Sequence, residues 1–207
     1  MARNGRGLPV DFDPELVGGR ECDAWAAYYR HEWRHFLVAA VGMVHAGFGM
    51  SWPRTLRGAW LVLRANQVWA PVPDNDPDAA RALMTRFYAL VARARALDLD
   101  PVTAARLEVE WWRVHRELQR ERPEDDDEEL VRALAELYAY VYRVPVEDVV
   151  PAAAARTEAM RYSDAWVEAG CDPANRLLAR EREALIRSYT GLRDAARRGS
   201  NEGEGVV

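Results

Sequence analysis

The Asp-Pro pair recurs along this chain, at Asp13-Pro14, Asp76-Pro77, Asp100-Pro101 and Asp172-Pro173, and it constrains the fold more than any other feature. An Asp carboxylate accepts the free amides of a first helical turn. Proline suits the first helical position, where its missing N–H leaves nothing unpaired. The last three pairs each precede an Ala/Leu/Arg-rich stretch with helical spacing of its apolar residues. Helices are therefore expected over 77–97, 101–121 and 173–197. Further helices are expected over 20–47 after Gly18-Gly19, over 53–69 with Ser51 as cap, over 124–142 with an acidic start, and over 151–169 closed by Gly170. The short β-like run 138–146 sits inside a helical frame. The resulting expectation is an all-α fold, one multi-helix domain of about seven helices, bundle-like or orthogonally packed.

A chain of 207 residues is long enough to bury a core without staples. The domain is expected over 19–198, with a flexible segment at 1–18 and a disordered tail at 199–207. The net charge of −5, with basic residues interleaved among acids, argues against nucleic acid as a partner. Every basic residue is Arg. Lysine Schiff bases, pyridoxal-phosphate lysines and P-loop lysines are thereby excluded. Two cysteines, Cys22 and Cys171, make no disulfide framework and suit a reducing compartment. The first ten residues lack the apolar run of a signal peptide, so a cytoplasmic location is expected. The apolar run 36–50 is about 15 residues long and contains His45, so it is expected as a core helix and not as a membrane span. Self-association is left open.

Few residues offer chemistry. On the expected first helix, Glu32 shares the face of Trp25, Tyr29, Phe36 and Met43, with His35 one turn on. A carboxylate on an apolar face is costly unless it is paired or ligates a metal. Glu-x-x-His is the spacing that bundle dimetal sites use, although no second copy accompanies it; a Glu32–Arg salt bridge with a hydrogen-bonded His35 is the alternative. On the helix LEVEWWRVHREL, His115 and Glu108 flank the stripe Leu107, Trp111, Val114 and Leu118. An imidazole in that setting suits a metal or haem iron, or a base near neutral pH; a boundary His paired with Glu108 is the alternative. Asn66 and Gln67 sit beside the Leu56/Trp60/Leu63 face, either lining a polar pocket or bonding the following loop. The eight tryptophans suit a large core or a pocket for a flat apolar ligand.

Four stretches, SWPRTLRGAWLVLRANQ, NDPDAARALMTRFYALV, DPVTAARLEVEWWRVHREL and LYAYVYRVPVEDV, resemble the helical oxygenase-like family of MpaB and latex-clearing protein in their layout. That family carries a Trp-Val-His signature whose His ligates haem b. Here Arg113 separates Trp112 from Val114. The resemblance implies His115 as haem ligand, with Arg54 and Thr55 near it.

Three functional expectations follow. The first is a haem- or metal-dependent oxygenase-like protein acting on a hydrophobic small molecule. In it His115 and Trp112 hold haem b, Arg54 or Arg113 steadies a propionate, and His35 or His45 acts on the distal side. The second is a non-catalytic helical protein that binds a protein partner or an apolar ligand. The third is a non-haem dimetal oxidase-like protein, with iron at Glu32, His35, Glu108 and His115.

Overall fold

A computed structural model describes the backbone of residues 7–121 and 127–204, and among these every regular element is an α-helix. The helices are α1 (Pro14–Tyr29), α2 (Trp33–Phe48), α3 (Trp52–Trp69), α4 (Pro77–Arg95), α5 (Pro101–Glu121), α6 (Glu128–Tyr142), α7 (Val146–Glu168) and α8 (Arg176–Glu204). Each packs on its neighbours in the sequence, and α8 returns to pack on α1.

The caps explain most of the helix starts. Asp76 Oδ1 accepts from the Ala79 amide at 2.9 Å, opening α4. Asp100 Oδ2 accepts from the Thr103 amide at 2.9 Å and its hydroxyl at 2.6 Å, opening α5. Asp13 caps Glu15 at 3.0 Å, so α1 begins at Pro14 and not at residue 20. The pair at 172–173 departs from expectation. Asp172 closes a turn onto the Ala174 amide, and Asn175 accepts from Leu177 at 3.0 Å just ahead of α8.

Gly18 and Gly19 lie inside α1 because α8 crosses close to it. A Cβ at Gly18 would stand 2.9 Å from the Ile186 amide nitrogen. The two glycines therefore mark a helix crossing and not a helix boundary.

The expected first helix is two helices. α1 ends in a Schellman turn in which the Glu32 amide donates to Ala27 O at 2.8 Å and His31 takes φ 59°. The same left-handed stop, without glycine, closes α4 at Ala96 (φ 53°) and α6 at Arg143 (φ 57°). α7 begins at Val146, ahead of the expected Pro151, which sits within the helix and leaves the Glu147 carbonyl without its intrahelical donor.

The segment expected to be flexible up to residue 18 is tied down from residue 7. The Leu8 amide donates to Val141 O at 2.8 Å, and Leu8 and Phe12 are buried. Residue 199, the first of the expected tail, continues α8, which runs to Glu204. Residues 205–207 and part of the expected acidic start of α6, 124–126, lie outside the described residues.

The largest core lies between α3, α4, α5 and α6, around Leu61, Met84, Phe87, Val91, Trp112 and Leu137. A second joins α6, α7 and α8 through Leu134, Val149, Ala153 and Leu192. A third, small core sits where α1 meets α7 and α8. α2 was expected to be a core helix, but it buries only Ala39, Gly42 and Val44 fully. No single described helix is long and apolar enough to cross a membrane.

Candidate functional site

The residues singled out for chemistry are placed apart. Glu32 caps the start of α2 and does not sit on a buried helix face. It pairs with Arg30 at 2.8 Å and with His35 Nδ1 at 3.2 Å, and the His35 side chain is 80% exposed. The salt-bridge alternative describes this pair. Glu108 lies between α4 and α5 and accepts from Tyr88 Oη at 2.7 Å. Burial raises its carboxyl above the ordinary range, with the Tyr88 hydrogen bond opposing that rise. His115 faces neither Glu108 nor Glu32; its Nε2 stands 3.4 Å from Asp164 of α7. The four residues of the dimetal expectation therefore do not converge. Among the described residues, no three His, Cys, Asp or Glu side chains group as a metal ion requires.

The haem expectation needs His115, Trp112, Arg113 and Arg54 around one space, and these side chains point to different neighbours. Trp112 is buried against Trp69, with ring centroids 6.0 Å apart. Arg113 turns to Glu110 and Glu117 of its own helix. Arg54 stands exposed at the start of α3. His115, the nominated iron ligand, has its outer nitrogen against a carboxylate within the α5–α7 contact. As placed, this set does not fit a haem.

Neither of two surface grooves gathers the nominated residues. One of about 330 Å³ lies between α6 and α7, lined by Val131, Val146 and Val150 among others. The other, about 210 Å³ and beside Arg113, falls below the usual range for ligand pockets. Asn66 bonds back into its own helix at Val62 O, and Gln67 accepts from Arg64.

A different constellation does assemble, on the outside. Along α3, Trp52, Leu56 and Trp60 recur at every fourth residue on one face. They are 58%, 56% and 53% exposed. The opposite face of α3, with Thr55, Leu61, Ala65 and Trp69, is the buried one. The Leu56/Trp60/Leu63 face read from the sequence as apolar therefore points away from the core. On α2, Trp33, Leu37 and Val38 are also exposed.

His45 joins the two stripes. Its ring stacks on Trp52 at 4.2 Å between centroids and 10° between planes. Its Nδ1 meets Thr55 Oγ1 at 3.3 Å, and that hydroxyl donates to Met50 O. His45, expected at a haem's distal side, instead fixes the corner between α2 and α3. Together these residues form an elbow, bent by 117° between the two helix axes, with apolar side chains along its outer surface.

The elbow's charges are of one sign. Between residues 33 and 73 there are four arginines, Arg34, Arg54, Arg57 and Arg64, and no acid. All four are exposed. Among the described residues, no carboxylate lies within ion-pair reach of Arg34, Arg54 or Arg57. Elsewhere arginines are paired, as in Arg182–Asp23, Arg187–Glu158 and Arg161–Asp127.

One internal cluster had no signal in the sequence. Arg156 of α7 donates to Glu21 of α1 at 2.7 Å, and Tyr189 of α8 donates to the same carboxylate at 2.6 Å. Glu181 of α8 is 2% exposed, and its Oε2 has no hydrogen-bond partner. Burial, and then the charge of Glu21, pushes its carboxyl up to about 8. These groups stand where α1, α7 and α8 meet, and they hold that junction together.

No family model matches this chain, and neither a curated protein nor a solved structure matches it.

Proposed function

We infer that this chain is a helical docking module that binds an apolar partner surface through the α2–α3 elbow. The observation that carries the reading is the outward stripe of Trp52, Leu56 and Trp60, continued by Trp33, Leu37 and Val38. Contiguous exposed apolar side chains rimmed by charge mark interaction surfaces, whereas scattered single ones do not. Tryptophan and arginine are the side chains that most often dominate binding energy at such surfaces. The fold supports the role mechanically. α3 is anchored on its inner face by Thr55, Leu61, Ala65 and Trp69, so its outer face is held rigid without covering it.

The triple variant Trp52→Ser, Leu56→Gln, Trp60→Ser tests the reading. The folded wild-type chain is expected to bind an apolar fluorescent dye, and the variant to lose most of that signal. The melting temperature is expected to hold within a few degrees, because exposed substitutions away from special features change stability by about 0.5 kcal/mol or less. Equal dye binding by the two proteins would sink the reading.

A further inference from the structure

We propose that the partner of the elbow is an anionic lipid surface, on which α2 and α3 lie in the plane of the interface. This rests on the reading of the elbow as a docking face and names what it docks on.

Four observations favour lipid. First, the apolar residues are arranged as an in-plane amphipathic element requires. Viewed down α3, Trp52, Leu63, Leu56 and Trp60 fill one arc of the exposed side, and Arg64 and Arg57 continue it on the flank. Second, α2 and α3 are together apolar enough for a membrane segment, but the 117° bend and their individual lengths prevent a straight crossing. Such a pair can enter the headgroup boundary without spanning. Third, three tryptophans, Trp33, Trp52 and Trp60, stand out from the elbow. Indole rings settle at the level of the headgroups, where the ring is buried and the N–H stays wet.

The fourth observation is charge. The whole chain carries −5 and the segment 33–73 carries +4, so the remainder carries −9. An anionic surface attracts the elbow and repels everything else, which orients the molecule before contact. The unpaired guanidinium groups of Arg34, Arg54 and Arg57 are free for lipid phosphates, and their stems lie along the apolar stripe. A second copy of the chain fits less well. Two elbows face to face would set four arginines against four, with no acid in either segment, and like charges across an interface oppose association.

The full chain is to be sedimented with vesicles of phosphatidylcholine alone and of phosphatidylcholine mixed with phosphatidylserine. Binding to the mixed vesicles and little to the neutral ones is the expected result. Arg34→Gln, Arg54→Gln and Arg57→Gln together are expected to weaken that binding about a hundredfold, since each charge near an anionic surface contributes roughly a factor of five. The Trp52→Ser, Leu56→Gln, Trp60→Ser variant should lose it as well, and both variants should keep the wild-type helical circular dichroism. Equal binding by all three proteins would overturn the proposal. Dye binding at the elbow without vesicle binding would overturn lipid while leaving the docking face, and would point to a protein groove. A dimer abolished by the tryptophan variant would likewise overturn it in favour of self-association. Loss of both dye and vesicle binding in the wild type would remove the docking reading itself.

Discussion

Arg156→Met is expected to destabilise the fold by about 3–5 kcal/mol, the largest single effect in the molecule. Arg156 is the partner of Glu21, which is 4% exposed and shared with the Tyr189 hydroxyl. Removing the guanidinium leaves a carboxylate in the α1–α7–α8 junction with only a phenol to face it. The penalty comes from that stranded charge more than from the lost attraction. Glu21→Gln, which strands the arginine instead, should also be costly. The double variant should recover much of the loss, because neither charge is then buried alone. A double-mutant cycle in urea measures this directly, with a coupling of about 2–4 kcal/mol expected. If Arg156→Met costs under about 1 kcal/mol, the junction is wetter than its packing implies.

Glu181→Gln is expected to stabilise the protein, and the gain should depend on pH. The Glu181 carboxyl is held at about 8 by burial and by Glu21, well above the 4.5 of an ordinary glutamate. The folded chain therefore keeps a proton that the unfolded chain releases. Stability is fully present below about pH 4.5, declines as pH rises through the interval, and is lost once pH passes about 8. The slope is about 1.4 kcal/mol per pH unit, so the cost at pH 8 is on the order of a few kcal/mol. Glutamine has the shape of the protonated acid and carries no such cost. Its gain should be near zero at pH 5 and about 3 kcal/mol at pH 8. Urea unfolding at the two pH values checks it, and a gain that is flat with pH would contradict the account.

What could be read in advance followed from local chemistry. Asp76 and Asp100 announce α4 and α5 because a cap and its amides lie three residues apart. The Glu32–His35 pair is likewise local. The α1–α2 break was illegible because its left-handed residue is His31, not the glycine that usually marks such a stop. Gly18 misled in the opposite sense, since the close approach of α8 that requires it comes from more than 160 residues away. The all-α class was secure because it needs only periodicity and caps.

The candidate site was harder for a related reason. The 3.6-residue period identifies an apolar stripe but not what lies against it. Leu56, Trp60 and Leu63 read as a face toward the core, yet the helix buries Thr55, Leu61 and Ala65. His115 finds its carboxylate at Asp164, 49 residues on, and Arg156 finds Glu21 across 135 residues. No spacing rule connects such pairs. The one available clue to the elbow was the absence of any acid from 33 to 73 in an otherwise acidic chain.

Oxidative footprinting of the free protein in solution tests the outward α2–α3 face most directly. Hydroxyl radicals modify exposed indoles quickly and buried ones slowly. Trp33, Trp52 and Trp60 should be oxidised many times faster than Trp112, which is 7% exposed, and Trp166, which is fully buried with its indole donating to Asp172 O at 2.7 Å. Protection of Trp52 and Trp60 to the level of Trp166 would mean that the stripe is covered in the free chain, and the docking account would fail.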